Sequence, residues 1–342
     1  MNLKCLCLFP YFILYLRGKG RKIVKKPVHI NPLLMRHIIA FIRNRNFILI
    51  LAVVLGLSLG DFAHFIKDYT TWVLAIVMTF SMTNIRTSSL YPPRVLLKPM
   101  MVGALLNYVI YAIIMIALAK WLIDDQILFY GFVVIATTPP GVAIVPFSSI
   151  LKGDVEYSIK GVFGAFMCTV FITPFAVGWI TGNNGVSSID LFILMVKTIV
   201  IPLMISRVLL MPQLSKTSNA VRGKIVDWGF ALLIFIAVGL NRHVFFSEPS
   251  ILLKIALILF IVHFVVGLLF EKIGSVFFKD KVKLMSQNLL LTIKSSGFAV
   301  VTALTLFGQK AAIPTAGLAI FVLLYLLYLS IRMEIKAKKK KI

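Results

Sequence analysis

Two short segments place polar chemistry inside apolar runs. One is "TTPPGVAIVP", residues 137–146, within the oily stretch from Ile127 to Leu151; the other is "TIKSSGF", residues 292–298. Pro139 and Pro140 lack backbone donors and disfavour helical geometry in the residue before each, and Gly141 relaxes the chain further. A helix broken there exposes carbonyls near Ala136 and amide donors near Val142. These ends carry about half a unit of negative and positive charge, enough to hold a cation or an anion without a charged side chain. Thr137 and Thr138 have a plainer task available, which is to satisfy backbone groups that the prolines leave unpaired. Lys294 adds a full charge, costing roughly 2.5–3.5 kcal/mol at a bilayer centre. It must therefore be paired, neutral or useful.

The elements that carry these segments are membrane spans. Of 342 residues, 60% are hydrophobic and 14% charged, against roughly 45–50% and 25% in soluble domains. Apolar runs recur near the ~20 residues that cross a bilayer, so the chain is an all-α polytopic membrane protein. The net charge of +24 does not indicate a nucleic-acid partner, because the basic residues cluster in alternate loops and at both ends. Cys5, Cys7 and Cys168 form no zinc or disulfide framework.

Hydropathy and punctuation predict spans near 47–66, 70–88, 98–122, 127–151 and 157–182. A second set falls near 189–211, 224–242, 249–271, 284–307 and 311–332. The turn-rich "TGNNGVSSID" (181–190) separates the sets. Residues 1–46 read as a basic cytoplasmic segment with a short apolar stretch that lacks a signal-peptide cleavage site. Residues 47–182 and 189–332 form two five-helix repeats, and 333–342 a basic cytoplasmic tail. Base-rich loops (Arg86, Arg94 and Lys98; Lys216, Arg222 and Lys224; Lys272, Lys279, Lys281 and Lys283) alternate with base-poor ones. That pattern puts both termini in the cytoplasm and requires an even number of spans, which ten satisfies. With five spans per half, the second half enters the membrane inverted. The fourth span of each half is the interrupted one, and matching interruptions point to a transporter binding site.

At these residues the chain resembles the bile acid:sodium symporter family, within the wider group that includes arsenite and riboflavin transporters. The pattern is two small residues, Pro, a Gly-containing turn, a short helix, then Lys-Gly-Asp at 152–154. "AIVMTFSMTNI" (75–85), "LLNYVIYAIIMIALAKWL" (105–122), "IVIPLMISRVL" (199–209), "SSGFAVVTALTLFG" (295–308) and "AAIPTAGLAIFVL" (311–323) are similar to further family spans. The resemblance covers roughly residues 70–330. It implies ten transmembrane helices as two inverted repeats, with a panel domain and a core domain in which discontinuous helices 4 and 9 cross. It also implies two sodium ions beside that crossing.

Carried over residue by residue, the sodium ligands are mostly replaced. Asn107 stands for the third-helix amide and Ser158 for a fifth-helix hydroxyl. Ile144 and Val145 replace a Ser-Asn pair, Val162 a second hydroxyl, and Leu290 the ninth-helix acid. In the Gln-Asn-Ser-Gly motif, Lys294 and Ser295 replace the first two residues, while Ser296 and Gly297 remain. This argues against ordinary sodium coupling and leaves sodium or a proton as the candidate coupling ion; no other cofactor is implied.

The candidate substrate or ion-binding residues are thus Asn107, Thr137, Thr138, Gly141, Ser158, Lys294, Ser295 and Ser296. Three readings of Lys294 stay open: an ammonium that replaces a bound sodium, a proton carrier, since a buried lysine can titrate near neutral pH, or a structural salt bridge. Glu156 and Lys160, an i, i+4 pair, are candidate charge partners, although a solvated helix end is the plainer reading. His263 reads as helix packing, and Lys197 and Lys254 as snorkelling residues or cavity lining.

The expected function is secondary transport of a small organic solute, most simply an anion, by alternating access in the plasma membrane. A proton-linked exporter or antiporter is the alternative within transport, and a membrane sensor the alternative outside it. An intramembrane enzyme is not expected: Asp61, Asp190 and Asp227 lie near span ends and form no aspartate pair at depth. No Walker A motif is present.

Overall fold

Three helices start where an aspartate supplies the cap. Asp125 accepts from the Leu128 amide at 2.9 Å to open α4 (Gln126–Thr137), and Asp154 accepts from Tyr157 at 2.9 Å to open α6 (Val155–Thr181). Asp280 takes the amides of Val282 and Lys283 to open α10 (Lys281–Thr292). Each cap satisfies donors that a helix start leaves without partners. Gly182, at φ 65°, ends α6 in the left-handed conformation that glycine adopts without steric cost.

The computed structural model describes residues 45–91, 93–182 and 187–339. Besides shorter helical turns such as Ala63–Ile66 and Arg242–Ser247, the other helices are α1 (Arg45–Ser58), α2 (Thr70–Met82), α3 (Arg94–Leu122), α5 (Ile144–Ile150), α7 (Ile189–Leu209), α8 (Pro212–Leu240), α9 (Pro249–Phe277), α11 (Ser296–Phe307) and α12 (Ala312–Lys339). Apart from its first helical residues, the N-terminal segment expected at 1–46 lies outside the described residues.

Among the described residues, six helices are long and apolar enough to cross a membrane: α3, α6, α7, α8, α9 and α12. The chain is an integral, multi-pass membrane protein. The spans predicted at 127–151 and 284–307 are each two shorter helices, α4 with α5 and α10 with α11. The first predicted span stops early. α1 ends at Ser58 and the chain bends by 93° before continuing through Gly60 to Met82. α8 starts at Pro212 rather than near 224, because Lys216 and Arg222 are good helix formers and Pro212 suits a first helical turn.

α8 packs on α1 and α2, and α2 on α7; α3 packs on α6, and α4 and α11 on α12. The α3–α6 contact is backbone to backbone, since a Cβ on Gly103 would lie 2.7 Å from the Gly161 carbonyl oxygen. This close approach sets α3, and with it Asn107, against the interrupted segments. In α3, α7 and α9 the helix widens into π turns: Leu105–Ile110 around Asn107, Val196–Val200 around Thr198, and Ile261–Val265 around His263. Such turns recur at functional sites.

Candidate functional site at the crossing of two interrupted helices

The two breaks meet. Pro140 and Lys294 form an isolated antiparallel bridge, with the Gly141 amide donating to the Ile293 carbonyl at 2.9 Å and the Ser295 amide to the Pro139 carbonyl at 3.0 Å. Two strands one residue wide thus join four half-length helices.

Backbone bookkeeping explains the proline pair. In a continuous helix the carbonyls of Ile135 and Ala136 would accept from residues 139 and 140, which are prolines and have no N–H. The Thr138 hydroxyl takes the Ile135 carbonyl at 2.9 Å. Lys294 takes that of Ala136 at 2.8 Å and that of Thr138 at 2.9 Å. Thr173, from α6, donates to the Thr137 carbonyl at 2.7 Å. Every carbonyl from 135 to 139 therefore has a partner, as buried backbone requires.

Lys294 is 1% exposed. Besides those two carbonyls, its Nζ donates to the Asn107 side-chain oxygen at 2.7 Å and the Asn107 backbone carbonyl at 3.1 Å. The rings of Tyr111 and Tyr108 lie 4.6 and 5.1 Å away, within the range of cation–π attraction. Asn107 is held in turn, its amide nitrogen donating to the Leu290 carbonyl at 3.3 Å. No acid is among these contacts. The end of α4 supplies the negative partial charge instead, as the C-terminal end of a helix does.

The other candidate residues have partners of their own. The Thr137 hydroxyl bonds back to Val133 and Val134 of its own helix, so both threonine hydroxyls serve the backbone, and only the Thr138 carbonyl reaches Lys294. Gly141 and Ser295 contribute the paired amides of the bridge. Ser158 is buried against Ser148 at 2.5 Å. Glu156 pairs with Lys160 at 2.6 Å rather than with Lys294. Both line a cavity of about 650 Å³ together with Arg94, Lys98 and Lys283. Lys254 pairs with Asp124 at 2.9 Å. His263 is buried, with Nδ1 on the Leu259 carbonyl at 2.7 Å and its ring edge-on to Tyr111. Its Nε2 has no partner among the described residues.

Sequence reasoning missed Tyr108, Tyr111 and Thr173. The two tyrosines flank Asn107 at i+1 and i+4, a spacing that puts Tyr111 on the Asn107 face of a regular helix; the π turn brings Tyr108 there as well.

Beside the crossing lies a cavity of about 50 Å³, lined by Gly141, Ser295 and Ser296, by Leu49 of α1 and Phe230 of α8, and by Ala319 of α12, among others. That holds a water or two and is far below the roughly 300–1,000 Å³ of ligand pockets. Two larger clefts lie between helices. One of about 580 Å³ includes Arg86, Arg222 and Val145, and one of about 460 Å³ includes Lys67, Asp68 and Gln309.

No individual curated protein matches the chain. The model of the Sodium Bile acid symporter family matches residues 71–248, slightly more than half of the chain. The match takes in Asn107 and the first interrupted segment, while Lys294 lies beyond its end. This is a family of membrane transporters of organic solutes, which fits a multi-pass protein with a small-molecule solute as its partner. With an interrupted helix and a buried polar crossing in the expected places, the chain belongs to the sodium bile acid symporter family.

Proposed function

We propose that the protein is a secondary transporter of a small organic anion, working by alternating access at the crossing of α4/α5 with α10/α11. The observation that carries this reading is the Pro140–Lys294 bridge, which joins two broken helices inside the protein. Irregular backbone at membrane depth is tolerated where it is buried in protein or lines a cavity, and corresponding breaks in two halves mark transporter sites.

Further support comes from the π turns. Two of them fall in the third span of each predicted half, α3 and α9, which fits two inverted five-helix repeats, while the third, Val196–Val200 in α7, has no counterpart among the described residues of α1. On this reading the chain has ten spans. α1, α2, α7 and α8 form the panel and the other helices the core, with both basic termini on the cytoplasmic side of the plasma membrane. The small cavity beside the crossing, with larger clefts elsewhere between helices, suits a closed intermediate, which rocking of core against panel would open to either side. The α11 N-terminus with Ser295 and Ser296, next to the Lys294 cation, favours an anionic group.

Ordinary sodium symport is not part of this proposal. Ile144, Val145, Val162 and Leu290, which stand where sodium ligands belong in the family, are buried and apolar. The test is uptake of a panel of radiolabelled organic anions into proteoliposomes, with sodium and proton gradients imposed separately. Saturable uptake without sodium stimulation is expected. Proton-stimulated uptake would select the proton-linked form, and sodium-driven uptake would mean a sodium site elsewhere in the core. Absence of uptake by folded protein under every gradient would overturn the reading.

A further inference from the structure

We propose that the Lys294 ammonium is a built-in cation, permanently filling the position between the crossing helices that a mobile cation would otherwise occupy. The inference deepens the transporter reading and rests on it only for its consequence for coupling. Its evidence is the coordination of one atom.

Four oxygens surround Lys294 Nζ at 2.7–3.1 Å: the Asn107 side-chain oxygen and the backbone carbonyls of Asn107, Ala136 and Thr138. All four accept, and none donates. An ammonium has three N–H groups to share among them. A neutral amine would turn its lone pair toward a carbonyl oxygen, so the cage selects the charged form. The ligands are neutral carbonyl dipoles with two aromatic faces beyond them, the chemistry that suits a desolvated monovalent cation. A structural salt bridge would instead place a carboxylate here.

The proline pair is what makes the cage. It frees the Ala136 carbonyl from its helical partner and turns the chain so that the Thr138 carbonyl faces the same point. Without a cation there, two buried carbonyls and the Asn107 side-chain oxygen would face one another unpaired, which is destabilising for buried acceptors. A tethered cation holds the crossing together without needing to arrive or leave. A transport cycle built on it is not gated by ion binding at this position, whereas a mobile ion would have to load and unload with each cycle.

Thermal melting of the purified full chain in detergent tests this without any substrate. Wild type, Lys294→Ala and Lys294→Gln are compared in sodium chloride, methylammonium chloride and choline chloride at equal ionic strength. The wild type is expected to melt at the same temperature in all three salts. Lys294→Ala should melt several degrees lower in choline and recover saturably with sodium or methylammonium, which are small enough to enter the vacated cage. Lys294→Gln, with an amide in place of the ammonium, should respond to sodium and carries the test if the alanine variant does not fold.

Variants that melt as the wild type does in choline, or that respond equally to all three salts, would overturn the proposal. So would saturable stabilisation of the wild type by sodium. Either outcome leaves the transporter reading standing if uptake persists. Conversely, failure of uptake alone does not touch the melting result.

Discussion

The Asn107 side chain bridges Lys294 and the Leu290 carbonyl, both in the second interrupted segment. Its oxygen accepts from Lys294 at 2.7 Å while its nitrogen donates to the Leu290 carbonyl at 3.3 Å, at the end of α10. One amide on α3 thus holds both the cation at the crossing and the helix that delivers it.

Replacing that amide should therefore be costly. Asn107→Leu removes an acceptor from a buried charge and a donor from a buried carbonyl. Hydrogen bonds to charged groups contribute roughly 1.5–3 kcal/mol, and destabilisation of at least that size is expected by denaturant or thermal unfolding in detergent. Asn107→Gln keeps both functions and should lose less. Equal losses in the two variants would count against the bridging role.

Thr173 offers a sharper probe because a single bond is at stake. Thr173→Val conserves shape but leaves the Thr137 carbonyl without its 2.7 Å donor. An unsatisfied buried acceptor costs about 1–3 kcal/mol. The variant should melt lower than wild type, and Thr173→Ser should restore most of the difference.

At Gly103 the expected effect is steric. Its added Cβ in Gly103→Ala would meet Gly161 backbone at 2.7 Å, and the backbone has to give way. Overpacking of this kind costs typically about 1–3 kcal/mol. Because Asn107 lies one turn further along α3, uptake in proteoliposomes should fall along with the melting temperature. A variant with normal stability and normal uptake would show that the α3–α6 contact does not position Asn107.

The loop before α4 carries a pH-dependent contribution. Partial burial works to raise the Asp125 carboxyl, but the Lys310 hydrogen bond and the Leu128 amide outweigh it and hold the group below the usual carboxylate range. A carboxyl depressed in the folded state contributes fully above its unfolded value, about 3.9. That contribution fades as pH falls through the folded value. Melting temperature should therefore drop on acidification below about pH 4, and Asp125→Asn should flatten that part of the profile. An unchanged acid limb in the variant would assign the loss to other carboxylates.

Much of the helical layout is written locally. Hydropathy located the apolar segments, and the boundaries of α3, α6, α7 and α12 follow it to within a few residues at most ends. Caps such as Asp154 and the prolines at 139 and 140 act on their immediate neighbours, so helix starts and breaks are legible from sequence. The end of α1 was not, because the bend lies where Gly60 meets Gly239 on a distant helix. Nor was the extension of α8 back to Pro212, where charged residues continue a helix that hydropathy alone would cut short.

At the candidate site, composition singled out Lys294 as a charge out of place, and the proline pair as a source of unpaired carbonyls. It could not say that one answers the other. Glu156, the nearest acid in the sequence pattern, is committed to Lys160, and the partners of Lys294 come from segments 156 to 187 residues away. Thr173 and the tyrosines beside Asn107 entered the site the same way, through helix packing rather than through any local motif. Where the helices run and break is a local matter, because a missing N–H or an apolar run acts on its own turn of chain. Which groups fill those breaks is not, because that depends on how helices far apart in the chain pack against one another.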